Sequence, residues 1–381
     1  MITAKRLDTV QEYYFSKKLR EVADLRAKGR HIINLGIGSP DLAPPPAVLK
    51  ALNTALKNSA AHQYQPYKGI TELRNAISGF YKKFYQLDLD PETEILPLMG
   101  SKEGIMHISM AFLDPGDEVL LPDPGYPTYS SVSKLLDANE RNYELKAEND
   151  WLPDLEKLAK EDLSKVKIMW VNYPHMPTGS VAPDSFFEKL TRFAEKHKIL
   201  VVNDNPYSFI QNDDPKTILR KEGLSDYVME LNSLSKSFNM AGWRVGILAG
   251  SEKNINAVLK VKSNMDSGMF FPVQAGAVEA LKLSGSWFEE INKVYAKRKK
   301  KVLEIISALN CEINDNQVGL FLWAKTPRGK TSGDIVDDLL YNKDIFITPG
   351  FIFGSQGEGY VRFSLCATEE VIEEALKRIK T

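Results

Sequence analysis

Lys236 sits in the stretch "LNSLSKSFNMAGWRVG" (231–246), next to Ser233, Ser235 and Ser237 and followed by Gly242 and Gly246 on either side of Arg244. A surface lysine, the usual case for this residue type, needs no such neighbours. An amine that meets an anionic or planar ligand does: hydroxyls donate, glycines let the backbone come close, and a guanidinium suits a dianion. A second group ends the apolar run of "VVNDNPY" (201–207) at Asp204. Read alone it is a helix cap; buried, it needs a cationic or hydrogen-bonding partner. In "LMGSKEGIMHI" (98–108), Gly100 and Ser101 stand where a strand gives way to a helix, with Ser101 the expected N-cap. Free N–H groups at a helix start bind anions, although ordinary capping accounts for the same residues.

Together, a carboxylate at one strand end and a lysine after a later strand can hold a pyridine ring, the carboxylate on the ring nitrogen and the lysine on an aldehyde carbon. Pyridoxal 5'-phosphate (PLP) demands this pairing, because its protonated nitrogen acts as an electron sink. Competing chemistries lack their residues. "NLGIGSPD" (34–41) is half a dinucleotide fingerprint, but it has no third glycine and places Pro40 where the helix should open. No GxxxxGK[ST] loop occurs, and the five histidines show no paired spacing, CxxC or HExxH, so no metal is expected.

The elements that position these groups are legible from periodicity. Short apolar runs, "EVLLP" (118–122), "KIMWVN" (167–172), "ILVVND" (199–204) and "YVMELNS" (227–233), alternate with helical patterns such as "APDSFFEKLTRFAEKHK" (182–198). Near-continuous apolar strands between helices predict an α/β fold, a mostly parallel sheet sandwiched by helices, with ligands at the carboxyl ends of its strands. Past residue 280, a long amphipathic helix (286–309), a strand "GLFLWAK" (319–325) and a closing helix (368–380) predict a smaller α+β domain. The basic run Lys297 to Lys301 reads as a solvated helix face, since no aromatic platform accompanies it.

The 381 residues carry 49 Lys and Arg against 50 Asp and Glu, so no global field attracts nucleic acid or an anionic membrane. No leader-like or membrane-spanning apolar run is present, and two cysteines form no disulfide framework. A cytoplasmic protein is expected.

The lysine segment resembles the PLP-lysine signature of class I/II aminotransferases, the fold-type I PLP enzymes. "INLGIGSPDL", "YQPYKGITELR", "GSKEGIMHI", "PDPGYPTY", "NYPHMPTG", "DNPY" and "PGFIFGSQGEGYVRFSL" follow in that family's order along nearly the whole chain. "GSKEG", "PDPGYPTY" and "VKSNMDSGMF" (261–270) most resemble its LL-diaminopimelate aminotransferase branch. The resemblance implies an N-terminal arm and part of the small domain over 1–44, a large PLP-binding domain over 45–280 and a C-terminal small domain over 281–381. It implies that Lys236 bonds the PLP aldehyde and shuttles a proton, Asp204 holds the ring nitrogen and Tyr207 donates to the phenolic oxygen. Ser101, Lys102, Ser233 and Arg244 would bind phosphate, Tyr126 would stack on the ring, and Tyr64 would reach the phosphate of the other subunit of a homodimer. Arg362 would clamp the substrate α-carboxylate beside the Gly38 backbone, with Tyr13 the nearest match to a substrate-contacting tyrosine.

One position departs from the pattern. The family's NPTG reads "MPTG" here, so Met176 stands where an asparagine would donate to the phenolic oxygen and the substrate carboxylate. Methionine cannot donate, so either Asn172, His175 or a water substitutes, or the site works without that bond. The implied activity is transfer of an amino group between an L-amino acid and a 2-oxo acid, with LL-diaminopimelate and 2-oxoglutarate favoured by branch. Aspartate, methionine or aromatic amino acid transamination is the alternative, and a C–S β-lyase a further one.

Overall fold

The computed structural model describes residues 3–10, 14–220 and 223–381. In chain order its strands are β1 (Ile33–Asn34), β2 (Ile95–Leu98), β3 (Glu118–Asp123), β4 (Asn139–Glu144), β5 (Val166–Val171) and β6 (Leu200–Asp204). Then follow β7 (Val228–Ser233), β8 (Gly246–Gly250), β9 (Phe321–Lys325), β10 (Ile345–Phe346), β11 (Thr348–Pro349) and β12 (Tyr360–Ser364). Seven of them form one sheet in the order β2-β8-β7-β6-β5-β3-β4. Only β8 runs against its neighbours, so the sheet is mostly parallel, as predicted.

Both faces of this sheet are covered, which is why its strands read as unbroken apolar runs. Along β5, Ile168 and Trp170 enter one core with Leu98, Ile105, Ile108 and Leu231; Met169 and Val171 enter the other with Val201, Leu190 and Phe193. The helix Asp184–His197 buries Phe186, Phe187, Leu190, Phe193 and Ala194 and stops at Lys198, whose left-handed backbone (φ 55°) ends the turn pattern.

The carboxyl ends of β2, β3, β6 and β7 lie on one edge, followed respectively by Gly100, Tyr126, Asn205 and Lys236. The expected N-cap is corrected here. Gly100, with φ 93°, precedes the helix Ser101–Phe112, and Ser101 is its first residue. A Cβ at position 100 would fall 2.0 Å from Arg244 Nη2, so only glycine fits both the backbone and the space.

In the C-terminal third, β12 lies between β11 and β9 in an antiparallel sheet, and β1 pairs with β10 in parallel. The helix Gly285–Ala308 buries Phe288, Ile291, Tyr295, Val302 and Ile306 on one face. Its basic run is not wholly solvated, contrary to expectation: Arg298 is buried and meets Asp41 bidentately at 2.6 and 2.8 Å. Lys299 donates to the carbonyls of Asp315 and Gln317. The run thus joins "NLGIGSPD" to the helix Gly285–Ala308. Among the described residues, no helix is long and apolar enough to cross a membrane.

Candidate active site

A cavity of about 560 Å³ opens at the shared strand edge, lined by Gly38, Ser101, Lys102, Tyr126, Asp204, Tyr207, Ser233, Lys236, Arg244 and Arg362 among others. Ten of the residues singled out from sequence therefore meet in one place. Tyr64 does not: it is 90% exposed and outside this lining. Tyr13 lies outside the described residues.

Lys236 is carried on a single helical turn, Leu234–Ser237, directly after β7. Ser233 caps that turn, its Oγ accepting from Ser235 N at 3.1 Å, and Ser235 Oγ lies 2.9 Å from Ser233 Oγ. The Lys236 amine donates to the Gly38 carbonyl at 2.6 Å. Burial, with the charges of Arg362 and Arg244, holds its pKa below the usual amine range, which favours the neutral, nucleophilic form. Gly38 has to be glycine because a Cβ there would sit 2.0 Å from Phe321 Cζ.

Asp204 closes β6 and is almost completely buried. Its Oδ2 accepts from the Tyr129 hydroxyl at 2.9 Å, while Oδ1 has no hydrogen-bond partner among the described residues. Burial pushes its pKa up to about 6, and the Tyr129 bond works against that rise. Tyr207 lies three residues on, edge-on to Phe321, and burial keeps its phenol protonated as a donor.

On the opposite side, three segments converge: the start of the helix Ser101–Phe112, the Ser233 turn and Arg244. A Cβ at Gly246 would lie 2.6 Å from the carbonyl carbon of Gly100, so the segments touch through their backbones. Arg244 adopts φ 57° and is anchored by Nη1 to the Ala241 carbonyl at 2.9 Å. Hydroxyls, a helix N-terminus and a guanidinium gathered in this way can hold a phosphate.

Arg362, on β12, faces the cavity from the C-terminal sheet. Its guanidinium lies over Phe321, 3.8 Å from the ring centroid, and over Phe353 at 4.7 Å. Nη2 donates to the Gly36 carbonyl at 2.9 Å and Nη1 to Met176 Sδ at 3.2 Å. The two candidate substitutes for the asparagine are differently placed: Asn172 lines the cavity and His175 does not. Asn172 accepts from Met176 N at 2.8 Å and donates to the Asp204 carbonyl. His175 is buried against Thr178 Oγ1 at 2.8 Å, and burial lowers its pKa to about 3.

Sequence reasoning missed Tyr129, Phe15, Leu19, Phe321 and Phe353, all of which line the cavity. Tyr129 follows Tyr126 by three residues in "GYPTY", a helical spacing that could have flagged it. Elsewhere, Glu103, His107 and Asp266 come within reach of one another as metal-ligand types, but the Lys262 ammonium ion-pairs with Asp266 at 2.9 Å and meets that buried charge.

The residues fit PLP on two counts: the orphaned Oδ1 of Asp204 and the anion-binding donor set. The sequence pattern described as aminotransferase class I and II matches residues 30–379. The LL-diaminopimelate aminotransferase of Oleidesulfovibrio alaskensis is 40% identical over 379 residues, 99% of this chain and 98% of that one. That of Aquifex aeolicus is 39% identical over 377 residues, 98% and 97% of the two chains. The solved structure of apo-BacF from Bacillus subtilis superposes with a TM-score of 0.95 at 36% identity, covering 100% of this chain and 98% of that one. The aspartate aminotransferase of Thermotoga maritima superposes at 0.90 with 29% identity, covering 99% of each.

Proposed function

The chain belongs to the class I and II aminotransferases, and on that premise we propose that it binds PLP at Lys236 and moves the amino group of LL-diaminopimelate to a 2-oxo acid such as 2-oxoglutarate. The observation that carries the cofactor assignment is the placement of Lys236, Asp204, Arg244 and Arg362 around one cavity. The substrate assignment rests on the full-length relatives of that activity.

When bound, PLP supplies an aldehyde for amine exchange and a protonated ring that draws electron density from the substrate Cα. Asp204 keeps the ring nitrogen protonated through Oδ1. Ser101, Lys102, Ser233 and Arg244 would hold the phosphate, Tyr126 would pack on the ring, and Tyr207 would donate to the phenolic oxygen. Arg362 exchanges its Met176 contact for the substrate carboxylate, which its planar fork meets bidentately. Lys236 would hold the cofactor through its amine and, when that amine is free, would serve as the base that takes up and returns the substrate Cα proton. Donor and acceptor use the same groups in turn, giving ping-pong kinetics.

The working unit is a homodimer in which the exposed Tyr64 reaches the partner subunit's phosphate, and two free cysteines support a cytoplasmic setting. A second reading, an apolar or aromatic donor such as methionine or phenylalanine, is favoured by Phe15, Leu19, Ile37, Phe321 and Phe353 around Arg362. Amino donors including LL-diaminopimelate, aspartate, methionine and phenylalanine, each with 2-oxoglutarate and ranked by kcat/KM, separate the two. LL-diaminopimelate ranks first on the main reading. Ammonia and pyruvate as products would replace both with a lyase.

A further inference from the structure

The carboxylate of Asp204 is divided between two tasks by its surroundings. Oδ2 is taken by the Tyr129 hydroxyl at 2.9 Å; Oδ1 is buried and faces no donor among the described residues. Tyr129 is itself immobilised. It is 1% exposed, stacks on Trp170 of β5 with centroids 4.9 Å apart and an interplanar angle of 6°, and meets Tyr126 edge-on at 5.6 Å. Its phenol therefore has one direction in which to donate, and Asp204 lies there.

We propose that Tyr129 is a positioning residue that fixes the rotamer of Asp204 and keeps its carboxylate anionic, so that Oδ1 alone is presented to the ring nitrogen of PLP. The inference rests on the assignment of Asp204 to that nitrogen. The titratable groups facing Asp204 are Tyr129 from the helix Thr128–Leu135, Tyr126 from the turn before it and Tyr207 beyond β6. All three are phenols held protonated by burial, so the hydroxyl of Tyr129 is the bond that offsets the desolvation of the carboxylate. Without it the carboxylate becomes more basic and draws the proton off the ring nitrogen.

The test loads wild type and Tyr129→Phe with PLP carrying 15N in the ring. In the variant, the 15N signal should move toward that of unprotonated pyridine, and the dissociation constant for PLP should rise on the order of ten-fold, the loss of one hydrogen bond to a charged group. Replacing Tyr129 by 3-fluorotyrosine, nearly isosteric and a stronger donor, should move the signal the other way; this variant decides the matter if Tyr129→Phe does not fold. A 15N signal unmoved by either substitution overturns the proposal and leaves Tyr129 as packing for Trp170. Asp204→Asn separates the two levels of inference. If it abolishes the protonated-ring signal while the Tyr129 variants leave it intact, the role of Tyr129 falls alone. If wild type takes up no PLP at Lys236, the cofactor assignment falls and the proposal with it.

Discussion

The guanidinium of Arg362 donates from Nη1 to the thioether of Met176, 3.2 Å away, where a carboxamide stands in the family's NPTG. Sulfur accepts weakly and donates nothing. The Nη1 contact is thus a weak one, and on the proposed assignment the phenolic oxygen of PLP takes its protein hydrogen bond from Tyr207. In Met176→Asn the added amide donates to that oxygen, which favours loss of the proton from the Lys236–cofactor link. Absorbance of the loaded variant should change at a lower pH than that of wild type, by up to about one to two units if a full charge-assisted bond forms. An unchanged or raised midpoint shows that another donor already serves the oxygen.

Arg362→Lys keeps the charge and removes the fork, together with the stacking on Phe321. The loss of a bidentate, charge-assisted pair costs about 1.5–3 kcal/mol, or roughly ten- to a hundredfold in kcat/KM. Because every amino acid has the α-carboxylate, all donors should suffer alike in steady-state kinetics. A loss confined to dicarboxylic donors would place Arg362 at the far end of the substrate instead.

Lys236→Ala removes the amine but leaves Ser101, Ser233 and Arg244 in place. Borohydride treatment followed by peptide mass mapping should find PLP on residue 236 of wild type and on no residue of the variant. Dialysis should show the variant still retaining PLP, though less tightly. Label on a different lysine of wild type refutes the assignment.

Much of this site is legible in the sequence because its groups sit just after buried strands. The apolar runs that mark β5, β6 and β7 also mark where Asn172, Asp204 and Ser233 emerge. The two-residue strands β1, β10 and β11 carry no period long enough to detect. Arg298 lies in a run of lysines, and nothing local separates it from them; its burial comes from Asp41, 257 positions away. Tyr129 depends on a helix after β3 meeting the end of β6, a contact between elements 75 residues apart that spacing alone does not encode. The N-cap falls at Gly100 and not at Ser101 for a reason that lies partly outside the local sequence. Serine is the better cap, but the close approach of Arg244 and the positive φ left room for neither a side chain nor an ordinary backbone.

The same burial that suits Asp204 to a cationic ring weakens the protein that lacks one. Its pKa rises from 3.8 to about 6, so between those values the folded chain holds a proton that the unfolded chain has released. Stability without cofactor therefore increases as pH falls through about 6, and above that pH the ionised carboxylate costs up to about 3 kcal/mol, two units at 1.36 kcal/mol each. Asp204→Asn is neutral, nearly isosteric and able to accept from Tyr129. It should raise the melting temperature of the PLP-free protein at pH 8 and change it little at pH 4, while weakening PLP binding at both. Calorimetry of the PLP-free proteins across this range, beside PLP titrations, checks both arms. A variant that is less stable at pH 8 would mean that the carboxylate already has a cationic partner in the folded chain, and that its orphaned Oδ1 is not held open for the ring.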